Sequence, residues 1–306
     1  MMTGQVLSRT RIPLHRNGIG TPLAMILGSC LSLQFGAALA VALFPIAGVL
    51  GTTTLRLAFA ALILVVAIRP RVGGWTTAQW RAAGAYGVAL AAMNTAFYAA
   101  IDRIPLGTAV AIEFLGPLGL AAILSRRRLD LVWVAVAPCG MGILGAESLF
   151  GLAHLDPVGV AFACIAGLCW AGYILTSARL GAAVPGHGGL AVGLVIAALA
   201  VAPMGVRGAA VALSDATTVA LAVGTAVLAS VIPYCLELSA LRRLPRHVFG
   251  VLLSLEPIVA TFAGWVMLHQ SVGPLRLAAI TLVIIASIGT TITAARPPRA
   301  GAPSQA

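Results

Sequence analysis

The segment Ile101 to Pro117, IDRIPLGTAVAIEFLGP, comes back without gaps 140 residues later as Leu241 to Pro257, LRRLPRHVFGVLLSLEP. Pro105 falls on Pro245 and Pro117 on Pro257. In each copy an apolar residue and a proline open a hydrophobic span, and a second proline interrupts it at mid-depth. Duplicated spans with matched breaks predict a binding site between the two halves of a membrane carrier. Composition agrees. The chain is 60% hydrophobic and 9% charged, against roughly 25% charged residues in soluble domains, so a water-soluble fold would have no surface to present.

A spanning helix takes about 20 apolar residues. Spans are expected near 22–44, 48–68, 82–101, 105–124 and 131–148, then near 158–178, 188–206, 217–240, 247–268 and 274–294. All 19 basic residues are arginine. With the N-terminus in the cytoplasm, 15 of them fall in cytoplasmic segments, including Arg69, Arg71, Arg81, Arg126, Arg127, Arg128, Arg242, Arg243 and Arg246. Only Arg103, Arg207 and Arg276 face outward, and Arg56 lies within a span. This bias places both termini in the cytoplasm. Five spans per half is an odd number, so the two copies enter the membrane from opposite sides. The expected fold is therefore an all-α integral membrane protein of ten transmembrane helices arranged as two inverted five-helix repeats, 22–148 and 158–294. A cytoplasmic tail lies at each end, 1–21 and 295–306. Ala38-Leu39-Ala40 mimics a signal cleavage site, but the apolar stretch around it is longer than a signal core. The chain is expected to stay in a bacterial inner membrane.

The net charge of +11 does not point to nucleic acid, because the arginines sit in short clusters between apolar spans without aromatic interleaving. Cys30, Cys139, Cys164, Cys169 and Cys235 form no CxxC pair and read as small packing residues. His15, His154, His187, His247 and His269 fall in loops, tails or span ends. That disfavours a membrane hydrolase, and clustered zinc ligands are lacking. No enzyme activity, cofactor or metal is expected. In-span Pro117, Pro138, Pro203, Pro233 and Pro257 are tolerable where a helix lines a cavity or packs on protein. Small-residue faces such as Gly140-Met141-Gly142 and Gly145-Ala146 let helices approach closely.

The ionisable groups left in the hydrocarbon are Arg56, Glu113, Glu237 and Glu256. Charges there are costly and usually face a cavity. Desolvation favours the protonated form of a carboxyl group, so Glu113, Glu237 and Glu256 are candidates for loading a proton outside and releasing it inside. A paired Arg and Glu holding helices together is the structural alternative, and Glu237 lies close enough to its span end to be simply hydrated. Gln34, Asn94, Tyr98, Trp170, Tyr173, Tyr234 and Ser254 lie at similar depths. With Arg56 and Glu113 they supply what a zwitterionic amino acid needs: donors for its carboxylate, acceptors for its ammonium and a small polar pocket. The repeat aligns Glu113 with Leu253 and Glu256 with Gly116, so the two acids are not duplicates of one another and distinct roles are favoured.

Several runs carry a family resemblance. They are Gln34-Phe35-Gly36-Ala37 with Leu43-Phe44-Pro45, Thr54-Leu55-Arg56-Leu57-Ala58, Met93-Asn94 with Phe97-Tyr98, Glu113-Phe114 with Gly116-Pro117, Cys169-Trp170-Ala171 with Tyr173, Pro233-Tyr234 with Leu236-Glu237, and Leu255-Glu256-Pro257. In order, over roughly residues 22 to 294, they resemble the threonine and homoserine exporters of the drug/metabolite transporter superfamily, EamA type. The resemblance implies a ten-helix carrier exporting small neutral amino acids in exchange for protons, as a monomer or homodimer. It implies Glu113, Glu237 and Glu256 as the acidic candidates, with Arg56 and Asn94 as polar ones. Two positions depart from the pattern. Val41 stands where relatives often have lysine, and His269-Gln270 where they commonly have Gly-Glu, which removes an acid at the outer rim. The nearest rivals are a carrier for another small metabolite and a non-coupled channel. Phosphorylated substrates would call for several cavity cations, and only Arg56 is available.

Overall fold

The computed structural model describes residues 20–124, 155–241 and 252–295, together with Val132, Val136 and Cys139. The fifth expected span is outside this range apart from those three residues, as are both tails, Arg126 to Arg128, Arg242, Arg243, Pro245, Arg246 and the glycine faces at 140–146. Every element among the described residues is helical. The first three are α1 (Gly20–Val41), α2 (Phe44–Ile68) and α3 (Thr77–Ile101). The fourth expected span is split into α4 (Leu106–Glu113) and α5 (Leu115–Leu124). The second half contributes α6 (Pro157–Ala183) and α7 (Gly188–Ala212). Next come α8 (Ala216–Ala226), a π-turn (Val227–Val231) and α9 (Ile232–Leu241), which together make one span. The described chain closes with α10 (Glu256–Leu268) and α11 (Pro274–Ala295). Among the described residues six stretches are long and apolar enough to cross a membrane: Thr21–Val41, Phe44–Ile68, Thr77–Ile101, Pro157–Ala183, Gly188–Ala212 and Ala216–Glu237. Leu106–Leu120, Glu256–Leu268 and Pro274–Gly289 are shorter apolar helices.

Helix ends follow from local chemistry. Thr76 and Gln79 form a reciprocal capping box at the start of α3, which satisfies amides that the first turn leaves unpaired. Asp156 caps α6 through Val158 N–H, and Asp215 caps α8 through Thr218 N–H. The described aspartates are thus used at helix ends, while Glu113, Glu237 and Glu256 are set within the apolar layer. Leu62, Val66, Val88, Leu168, Leu199 and Met204 are exposed on the outside of the bundle, as an apolar solvent would require. Trp75 and Trp80 pack at a tilt of 58° with ring centroids 5.3 Å apart at the α2–α3 corner, where amphipathic rings favour headgroup depth.

Close helix contacts are made at glycines. A Cβ on Gly208 of α7 would strike the Ala47 carbonyl of α2, and one on Gly51 would lie 2.8 Å from the Gly208 carbonyl carbon. Small residues let backbones approach this closely, and in lipid that packing is a main source of helix association. Across the halves α2 packs on α7, and α1 on α9 and α10. On the other side α6 packs on α3, α4 and α5, while α3 meets α7, α2 meets α8, and α4 meets α10. Number the elements by expected span and exchange each first-half span for its counterpart five later: this set of pairs turns into itself.

Candidate functional site

The split of the fourth span follows from proline chemistry. Pro117 has no N–H for the carbonyl four residues back, that of Glu113, and a proline ring is tolerated in a first helical turn. Accordingly α4 stops at Glu113, Phe114 forms a turn, and α5 restarts at Leu115 with Pro117 in its first turn. The ninth span shows the same arrangement, with a turn at Ser254-Leu255 and α10 starting at Glu256-Pro257. The offset of 140 residues carries Phe114 onto Ser254. The breaks therefore fall three residues before the prolines rather than at them, which refines the sequence expectation.

Each break holds a buried carboxylate, Glu113 (7% exposed) and Glu256 (3% exposed). Beside the first break Gly116 and Gly167 bring α5 and α6 into backbone contact, and Phe114 meets Trp170 edge-to-face at 5.0 Å. At the second, the Ser254 and Ser287 hydroxyls are 2.7 Å apart. Glu256 is near enough to both Glu113 and Glu237 for their charges to act on it.

Arg56, 3% exposed, is held by the irregular middle of the eighth span. Its Nε donates to Ser230 Oγ at 3.0 Å and its Nη2 to the Ala229 carbonyl at 2.6 Å. Pro233 cannot donate to the carbonyl of Ala229 four residues back, so the acceptor is left open for the guanidinium. Ser32 of α1 donates to the neighbouring Leu228 carbonyl at 2.7 Å. The guanidinium also lies 5.1 Å from the Tyr98 ring centroid, a cation–π distance. Its charge reaches Glu113 and Tyr234. This is a charged group with fixed geometry among helices, where a planar fork is better suited than a lysine.

The remaining expected residues separate into two groups. Gln34, Asn94 and Tyr98 are buried. Asn94 Nδ2 donates to its own helix at Leu90, 2.8 Å, and its side chain meets that of Tyr234. Gln34 Oε1 has no hydrogen-bond partner among the described residues, which is uncommon for buried polar atoms, and the Tyr98 side chain meets that of Arg56. Tyr173 lies elsewhere. Its ring is 5.2 Å from that of Tyr86, and both line a cavity of about 130 Å³ with Ser177, Tyr234 and Glu237. Tyr234 thus borders both groups. Glu237 is half-buried and anchored, its Oε1 accepting from Ser29 Oγ at 2.7 Å. Sequence reasoning missed Ser29, Ser32, Tyr86, Ser177 and Ser230. The signal for Ser32 was Pro233, because a proline inside a span frees carbonyls that neighbouring donors, here Ser32 and Arg56, then occupy.

At the opposite end Gln270 has a specific place. Its Oε1 accepts from the backbone N–H of Leu106 at 3.0 Å, capping α4 from the far end of α10. Gly264 leaves room for that side chain, and Gly107 lets α4 sit against Thr261. Arg103 joins Asp102 at 3.4 Å and Asp156 at 3.6 Å nearby. Gln270 at this rim is thus a helix cap.

Comparison with known proteins adds a separate line of evidence. The EamA-like transporter family matches residues 157–292. The chain is 40% identical over 283 residues to the threonine/homoserine exporter RhtA of Escherichia coli K12, covering 92% of this chain and 94% of that protein. RhtA of Salmonella typhimurium LT2 is also 40% identical, over 91% of this chain and 94% of its own length. A solved crystal structure superposes with a TM-score of 0.58 at 17% identity, over 90% of this chain and 98% of that one. At that identity the likeness concerns the fold alone.

Proposed function

Because the chain belongs to the threonine/homoserine exporter family of EamA-like transporters, we propose that it exports small neutral amino acids such as threonine or homoserine from the cytoplasm of a bacterium. It does so across the inner membrane, by alternating access and in exchange for protons. The observation that carries this reading is the pair of helix breaks 140 residues apart, each with a buried carboxylate, Glu113 and Glu256. Unpaired backbone at membrane depth is stable only where it lines a cavity or packs on protein. A carboxylate at such a break can hold either an ammonium group or a proton.

The architecture proposed is ten transmembrane helices in two inverted repeats, 22–148 and 158–294, with both tails cytoplasmic and a monomer or homodimer as the working unit. The interchange symmetry of helix contacts supports it. The substrate site lies between the halves, on Gln34, Arg56, Asn94, Tyr98, Glu113, Trp170, Tyr234 and Ser254, with Tyr173 in the cavity that adjoins it at Tyr234. Arg56 suits the substrate carboxylate. Gln34 Oε1, without a partner among the described residues, and the Tyr98 hydroxyl suit its polar groups. Glu113, Glu237 and Glu256 are the proton-coupling candidates.

Counterflow in proteoliposomes tests the reading. Vesicles loaded with unlabelled threonine or homoserine are expected to take up labelled threonine transiently above equilibrium, as a carrier does and a channel does not. Simple equilibration without overshoot would replace the carrier with a channel, and no flux of either amino acid would replace the substrate class.

A further inference from the structure

The cavity at the α6–α7 end of the bundle combines features that the central site does not. Its walls are the rings of Tyr86, Tyr173 and Tyr234, the hydroxyl of Ser177 and the carboxylate of Glu237, and its floor is Leu180, Gly181 and Gly189. No basic side chain is among the described residues that line it. The elements fix these groups by ordinary helix geometry. Tyr173 and Ser177 are four residues apart on α6, and Tyr234 and Glu237 three apart on α9, so each pair shares a face. Tyr86 is set by its neighbour, because a Cβ on Gly193 of α7 would collide with its ring. Tyr86 and Tyr173 then meet with an interplanar angle of 41°, forming one aromatic wall. Glu237 is half-buried and is held from behind by Ser29.

We propose that this chamber is a first binding site for the primary ammonium group of the substrate, with Glu237 as its anion and the tyrosine faces as its walls. The proposal rests on the reading of the chain as an amino-acid exporter and adds the chemical group that is read on entry. Aromatic faces attract organic cations, and a carboxylate is a pure acceptor for the donors of an ammonium. At about 30 Å³ of liquid volume per water, about 130 Å³ holds roughly four waters, enough for the ammonium end of a small amino acid. Under the proposed orientation the turn between α6 and α7 faces the cytoplasm, the side from which an exported amino acid arrives. Tyr234, shared with Asn94 and the field of Arg56, connects the chamber to the site between the halves.

The test is the dissociation constant of propylammonium, with 1-propanol as its uncharged counterpart, followed by saturation-transfer NMR on the full chain in nanodiscs. Propylammonium is expected to bind and 1-propanol not. Glu237→Gln should weaken binding by roughly tenfold or more, whereas Glu237→Asp retains it, which separates loss of charge from loss of fold. Tyr86→Ala or Tyr173→Ala should weaken it about fivefold, and Tyr86→Phe should not. Equal binding of the alcohol, or undiminished propylammonium binding by Glu237→Gln, overturns the proposal. Glu237-dependent propylammonium binding in a protein that shows no threonine counterflow would remove the exporter reading and leave the chamber. Threonine counterflow without such binding would do the reverse.

Discussion

Under the proposed function Arg56 and the two break carboxylates are the residues on which transport turns, and each is open to a distinct test. If Glu113 or Glu256 carries the coupled proton, its change to Gln abolishes threonine export driven by an imposed pH gradient while exchange at equal pH persists. If it holds the ammonium, the same change weakens threonine binding, by roughly tenfold. Proteoliposome flux and equilibrium binding distinguish the cases, and two Gln variants with normal flux and affinity would assign both acids to packing. Arg56→Lys should be poorly tolerated, because one ammonium cannot reach Ser230 Oγ and the Ala229 carbonyl while also stacking on Tyr98. A loss of about 1–3 kcal/mol, read as a lower unfolding midpoint in detergent, is expected. The identity of these residues was legible in the sequence because a charge inside an apolar span is rare. Their partners were not: Ser29 and Ser230 are ordinary residues until the fold places them beside Glu237 and Arg56.

At the scale of elements, prolines were the best guide to irregular backbone. Pro117 and Pro257 marked the broken spans, although each break precedes its proline, since the ring is accommodated once a new helix has begun. The π-turn at 227–231 was not foreseen. It depends on the carbonyls of Leu228 and Ala229 finding donors in Ser32 and Arg56, a tertiary condition that no local pattern records. Helix contacts at glycine give a sharp prediction. Gly208→Ala would place a methyl group on the Ala47 carbonyl, force α2 from α7, and cost roughly 1–3 kcal/mol. Gly84→Ala in α3 has nothing within 4 Å of the new methyl and should be stabilising by about 1 kcal/mol. Thermal midpoints of the two variants, moving in opposite directions, would check this, and equal shifts would contradict it.

For the molecule as a whole, the internal repeat and the arginine distribution forecast a two-fold arrangement. The pairing of α1 with α9 and α10, mirrored by α6 with α3 and α5, is consistent with it. What composition could not forecast is which spans touch, because hydrophobicity is nearly uniform around these helices and contact depends on the shapes made by Gly51, Gly107, Gly167 and Gly208. Orientation is tested by single cysteines on a background lacking the native ones. Gly73→Cys, between α2 and α3, should react with an impermeant maleimide only after the cells are opened, and Ser214→Cys, between α7 and α8, in intact cells. The reverse pattern would invert the topology. The contact of Gln270 with the Leu106 amide has a consequence of its own. It ties together elements from different halves with a single neutral hydrogen bond, worth about 1 kcal/mol net, or roughly a fivefold bias between two arrangements. Under the proposed alternating access such a bond would act as a light catch. It would tilt the resting population toward the arrangement that keeps this contact, and would let go to water without becoming the slow step of the cycle.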